Sequence, residues 1–186
     1  MTRQWSEKKR TMRHYDRTAE IYNERYAKEQ NTKITNALER LHQADTTLVL
    51  DAGCGTGLLF SPIADKAKQI IGIDTSKNLL KQAKTKAKTR TNIHLVQADA
   101  DHTPFLNKTF TVTFALTLLQ NMPNPKTTLN EIKRITQPNG TIIITGLKKK
   151  FSLKKFTALV EKAHLKTLII HTDEKLKDYV AICLRH

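Results

Sequence analysis

The chain is predicted to be an α/β protein with a seven-stranded, mostly parallel sheet, helices on both faces and an antiparallel last strand. Three observations predict it. From residue 45 onward, apolar runs of strand length alternate with amphipathic segments of helix length. A glycine-rich turn, DAGCGTG from Asp51 to Gly57, joins the first strand to the first helix of that alternation. Aspartates also close three successive strands: Asp51, Asp74 and Asp99. In a parallel sheet those strand ends share one edge, which is where open α/β sheets bind ligands.

The elements follow in order. Ile21, Tyr22 and Tyr26 give helical spacing from about His14 to Gln30, and a second helix runs through Ile34, Leu38 and Leu41. Residues 1–44 are therefore expected to form a helical cap and residues 45–186 the core of one domain. TTLVLDAG is a strand and LLFSPIADKAK a helix; QIIGIDT is a strand, followed by a helix, SKNLLKQAKTKAK, with Ser76 as its cap. NIHLVQAD and FTVTFALTLL are the third and fourth strands. KTTLNEIKRIT is a helix ending before QPNG, and TIIITGL is the fifth strand. Helix SLKKFTALVEKAH, strand KTLIIHT, a turn near DEKLK and strand DYVAICLRH complete the chain, the last two strands pairing antiparallel.

Composition narrows the chemistry. No apolar run approaches a membrane span and no leader-like segment opens the chain, so a cytoplasmic protein is expected. The two cysteines, Cys54 and Cys183, form no CxxC pair and have no histidine cluster, which points away from a metal site and towards buried small thiols. The glycines run GxGxG, which is neither the dinucleotide fingerprint nor a P-loop. Asp51 would repel a pyrophosphate but welcome an amino or sulfonium group, and Asp74 suits a ribose.

These residues resemble the motifs of class I S-adenosylmethionine-dependent methyltransferases, in particular the UbiE-like, type 11 group. LDAGCGTG is similar to that family's first motif, IGID to its second and QADADHTPF to its third. FTVTFALTLLQNMPNP, Phe110 to Pro125, aligns with the fourth, and YDRTAEIYN resembles an upstream motif on a helix that closes over the cofactor. The resemblance covers nearly the whole chain and implies a Rossmann-like fold, S-adenosylmethionine as cofactor and methyl transfer as the reaction. It implies that the Gly53, Gly55 and Gly57 loop passes under the methionine part with Asp51 near its amino group. It further implies Asp74 on the ribose, Asp99 and the backbone of Ala100 on adenine, and Tyr15 and Tyr22 lining the closed site. Gln120 and Asn121 stand where the family often has two histidines and are the candidate catalytic, acceptor-orienting pair; having no titratable group, they are not general bases. Thr111 replaces a usual Asp at the far end of its strand, where a packing role is expected.

The acceptor must be read from charge. The chain carries a formal net charge of +15. Arg3, Lys8, Lys9, Arg10, Arg13 and Arg17 crowd the N-terminus, and Lys148, Lys149, Lys150, Lys154 and Lys155 follow the fifth strand with no acid among them. Lys77, Lys81, Lys84 and Lys88 read as a solvated helix face. The first two clusters point to an RNA acceptor, tRNA or rRNA, held by its phosphates. A small-molecule acceptor such as a quinone precursor, and a non-catalytic nucleic-acid-binding module on the same scaffold, are the alternatives, and a small accessory protein subunit fits the lack of any substrate-domain insertion. The absence of a [DNS]PP[YFW] sequence and of a suitably placed cysteine disfavours exocyclic-amine transfer of that type and cytosine C5 transfer.

Overall fold

The computed structural model describes residues 3–39, 41 and 46–186; the expected boundary between cap and core at residues 44 and 45 lies outside them. Seven strands form one sheet in the order β3-β2-β1-β4-β5-β7-β6. They are β1 (Leu48–Ala52), β2 (Gln69–Asp74), β3 (Ile93–Gln97), β4 (Phe110–Ala115), β5 (Thr136–Leu147), β6 (Leu165–His171) and β7 (Asp178–Arg185). β1 to β5 are mutually parallel, and β7 inserts antiparallel between β5 and β6. The chain runs outward from β1 to β3, then returns to β4 on the other side of β1. The carboxyl ends of β1 and β4 thus flank the switch point, where this architecture leaves a crevice.

Strands covered on both faces bury successive residues, not alternate ones; in β4 all six are buried, Thr111 and Thr113 among them. One face packs Val49, Ile70, Phe114 and Ile143 against α2 (Tyr22–Leu38), α3 (Phe60–Ile63) and α4 (Lys77–Ala87). The other packs Ile142, Ile144, Ala181 and Cys183 against α5 (Pro125–Ile135) and α6 (Leu153–Lys162). Both cysteines are buried, as expected, and burial pushes both thiols up from their ordinary value. Thr111 has the structural role expected of it, its hydroxyl bonding both the N–H and the carbonyl of Leu48 at 3.1 Å.

Three elements differ from expectation. The expected helix from His14 to Gln30 is instead divided: α1 spans Arg3–Thr18, a 3-10 turn covers Ala19–Ile21, and α2 continues to Leu38. The break follows Asp16, which turns its carbonyl to the Asn78 amide (3.0 Å) and its carboxylate to Ser76 Oγ (2.6 Å) and Asn78 N (3.1 Å). An anion there also meets the positive end of α4. The LLFSPIADKAK helix shrinks to the four residues of α3 before the chain turns, with Lys66 N and Ala67 N both donating to the Ile63 carbonyl. QPNG does not precede the fifth strand but lies inside it, at a register shift opposite Phe110 and Val112, with Asn139 at φ 59°.

At the far edge, β6 exposes Leu168 (54 %) and Ile169 (43 %), and its pairing with β7 slips between Thr167 and Ile169. Beneath the cap, Lys33 of α2 is only 1 % exposed, with its ammonium 2.8 Å from Asp178 Oδ2 of β7, 3.4 Å from Glu29 Oε1 and 3.0 Å from Thr117 Oγ1. Removing one partner of such a pair strands the other charge in the interior. Lys33→Ala is expected to lower unfolding stability by about 3–5 kcal/mol in denaturant titrations, and adding Asp178→Asn should recover part of that loss.

Candidate functional site

The loop after β1 is held by the end of β2. Gly53 N and Cys54 N both donate to the Ile73 carbonyl, at 2.8 and 2.9 Å, and Gly55 N donates to Asp74 Oδ2 at 3.0 Å. Bending the chain this way requires positive φ at Gly53, Gly55 and Gly57, a conformation that side-chain-bearing residues resist. A Cβ on Gly55 would meet no atom within 4 Å, so its missing side chain leaves open space. On Gly57 it would come 2.5 Å from the Phe60 ring. Gly57 therefore serves packing and does not line the cleft.

That cleft encloses about 710 Å³, its open mouth included. It brings together most of the residues expected from sequence: Tyr15, Tyr22, Gly53, Gly55, Asp74, Asp99, Ala100 and Asn121. Asp51 lies in an adjoining recess that shares Tyr22, Gly53, Gly55 and Thr117 as walls. Gln120 lines neither; its Oε1 is buried with no hydrogen-bond partner among the described residues. Asn121 is the member of the expected pair that faces the cleft, its Nδ2 donating to the Tyr15 hydroxyl (3.0 Å) and the Thr117 carbonyl (2.9 Å).

The carboxylates have distinct surroundings. Asp74 accepts Ser76 N at 2.8 Å on Oδ1 and Gly55 N on Oδ2, so each oxygen keeps acceptor capacity. Burial raises its pKa above the ordinary carboxylate value against those bonds. Asp51 is 4 % exposed and has no ion-pair partner among the described residues. Burial first, and the Asp74 charge second, push it up to about 7. A cationic ligand group would relieve both burdens. Burial also raises the Tyr15 and Tyr22 hydroxyls, so both remain protonated donors at neutral pH. Among the described residues no cluster of His, Cys, Asp and Glu could hold a metal ion, and no helix is long and apolar enough to cross a membrane.

Sequence reasoning missed Lys8, Thr11, Thr117 and Met122 as cleft residues. By sequence Lys8 belongs to the basic N-terminal cluster, yet its ammonium lies 2.6 Å from Asp99 Oδ2 and 2.5 Å from Asp101 Oδ2. The signal was its phase: Lys8, Thr11 and Tyr15 share one helical face, whereas Arg10, Arg13 and Arg17 are exposed on another. Lys148 is likewise engaged, bonding the Asp173 carbonyl at 2.7 Å and lying over the Tyr179 ring, while Lys149, Lys150, Lys154 and Lys155 are exposed.

A family model described as a methyltransferase domain matches residues 50–144. Demethylmenaquinone methyltransferase of Staphylococcus haemolyticus is 32 % identical over 114 residues, 58 % of this chain and 46 % of that one. Sterol 4-C-methyltransferase strm-1 of Caenorhabditis elegans is 30 % identical over 133 residues, 70 % of this chain and 39 % of its own. The chain thus spans less than half the length of these curated relatives. Among solved structures, a methyltransferase of Haloferax volcanii in complex with the Trm112 methyltransferase activator superposes with a TM-score of 0.77 at 16 % identity, covering 92 % of this chain and 97 % of that one. A SAM-dependent methyltransferase from Aquifex aeolicus gives 0.73 at 16 % identity, covering 82 % and 89 %. These two likenesses establish the fold.

A carboxyl whose folded pKa lies above its unfolded one stabilises the fold at low pH and loses that contribution as pH rises from about 4 to about 7. Asp51→Asn, which cannot ionise, is expected to unfold at a higher temperature than the wild type at about pH 8, with the gap closing toward about pH 4. Calorimetric midpoints that run parallel across this range would show that Asp51 carries no such burden.

Proposed function

The chain belongs to the methyltransferase domain family, and we propose that it transfers a methyl group from S-adenosylmethionine to an RNA acceptor, tRNA or rRNA, in the cytoplasm. The donor set fits the cofactor. Asp74 has an acceptor site to spare on each oxygen for a pair of ribose hydroxyls. Asp99 and the backbone of Ala100 serve the adenine edge, and the open side of Gly55 admits the methionine part, with the unpaired Asp51 toward its amino group.

When bound, the cofactor supplies a methyl group activated by a sulfonium. The chain's residues have to align it with an acceptor and exclude water. In this reading Tyr15 and Tyr22 close the cleft from the cap side, and Asn121, fixed by Tyr15 and Thr117, orients the acceptor, with Gln120 behind it. None of these four supplies a base at neutral pH, so the acceptor must itself be nucleophilic when aligned.

The observation that carries the RNA reading is the group of exposed ammoniums at Lys149, Lys150, Lys154 and Lys155. Among the described residues no carboxylate pairs with them, and they follow the carboxyl end of β5, the edge of the sheet that holds the cleft. Arg10, Arg13 and Arg17 on the outer face of α1 add to that field. The relatives that act on a demethylmenaquinone and on a sterol favour a second reading, a small-molecule acceptor. A small protein activator, like that of the Haloferax volcanii neighbour, belongs to either.

Calorimetry should find one S-adenosylmethionine site per chain, with Asp74→Ala weakening it by about 1–3 kcal/mol, the cost of a lost buried acceptor. A folded wild type that binds none would end the enzyme reading.

Replacing Lys149, Lys150, Lys154 and Lys155 with Gln should weaken RNA binding across sequences and flatten its salt dependence, leaving cofactor affinity unchanged. An unchanged salt slope would instead move the small-molecule acceptor ahead, and RNA binding without methyl transfer would favour the non-catalytic module.

A further inference from the structure

We propose that Lys8 is a movable plug in the adenine subsite, covering the acceptor face of Asp99 and withdrawing onto Asp101 when the base arrives. The proposal rests on the reading of the cleft as an S-adenosylmethionine site.

The Lys8 side chain is only 11 % exposed and forms part of the cleft wall. Its ammonium lies 2.9 Å from Asp99 Oδ1 and 2.6 Å from Oδ2. Oδ1 also accepts Asp101 N at 3.0 Å. With Oδ1 already taking two donors and Oδ2 covered by the ammonium, an exocyclic amine that donates to Asp99 must share Oδ2 with Lys8 or displace it.

A second berth is already built. Asp101 is 5 % exposed, with Oδ1 held by the Thr128 hydroxyl at 2.5 Å and Oδ2 facing the Lys8 ammonium at 2.5 Å. Withdrawal from Asp99 to Asp101 therefore never leaves the cation or Asp101 as an unpaired charge, the costly outcome in an interior.

The helix that carries Lys8 can yield. Among its described residues α1 buries none, and the 3-10 turn at Ala19–Ile21 separates it from α2. Shifting its first turns uncovers little apolar surface, so the motion costs little of the energy that fixes the other helices.

S-adenosylhomocysteine is the probe, titrated calorimetrically into the wild type, Lys8→Met and Asp101→Asn. If the plugged form makes up about nine-tenths of the molecules, it lowers apparent affinity about tenfold. Lys8→Met should therefore bind about tenfold more tightly than the wild type. Asp101→Asn, which removes the second berth and holds Lys8 on Asp99, should bind more weakly. Trp5, the one tryptophan of the chain, lies on the same helix, and its emission should change on binding in the wild type. Loss of structure would weaken both variants alike, so opposite signs separate the plug from a folding defect, and Asp101→Asn alone still tests it if Lys8→Met does not fold. A wild type that binds while Lys8→Met binds equally or less tightly overturns the plug alone. If the folded wild type and folded Lys8→Met both fail to bind, the cofactor reading falls and takes the plug with it.

Discussion

One backbone acceptor organises the site. The Ile73 carbonyl at the end of β2 receives two successive amides of the glycine loop, and the next residue, Asp74, receives a third. The loop cannot follow β1 outward, because its N–H groups are bound to the neighbouring strand, and the crevice beside β4 stays open in consequence. Asp74 is fixed by the same bonds, since releasing it would free the amides of Gly55 and Ser76 in a largely buried place. Gly57 contributes from outside the cleft by admitting the Phe60 ring against the loop.

The two cap helices meet that frame on different terms. α2 buries Ile34 and Ala37 and sends Lys33 through to β7, so it is part of the core. α1 is attached by polar groups, with Asp16 at the start of α4 and Lys8 at Asp99 and Asp101. Against α2 lies Thr117 at φ 58°, an unfavourable conformation for a β-branched residue. Gln30, Lys33, Thr145 and Asn121 all bond it, and strain of this kind persists only where the surroundings overdetermine it. The wall of the cleft at Thr117 is thus rigid, whereas the wall at Asp99 is lined by a helix that buries none of its described residues and is held by polar groups.

The succession of strands, the glycine loop and the aspartates at strand ends were legible because each follows from local pattern: a run of apolar residues, a spacing of glycines, a carboxylate at a fixed offset. Helix boundaries were less so. The break after Thr18 depends on Asn78 and Ser76, 60 or more residues away from Asp16, and no local signal carries that. QPNG looks like a turn between elements because Pro and Gly mark turns, yet here the kink is absorbed within a strand that Thr136 had already joined through its pairing with Phe110. Lys8 was misread for a related reason. A lysine among arginines suggests a solvated arm, and only the fold supplies the two carboxylates that draw it inward.

At the far edge of the sheet, no other described strand pairs with the outer rim of β6, which exposes Leu168 and Ile169, the ingredients for strand-to-strand association between copies. The slip in pairing between Thr167 and Ile169 interrupts the flat run such association needs, and the chain's large positive charge keeps copies apart. The two safeguards differ in kind. Ionic strength cannot straighten a bulge, but it screens charge, so the colloidal behaviour of this protein is tied to the counterions around it.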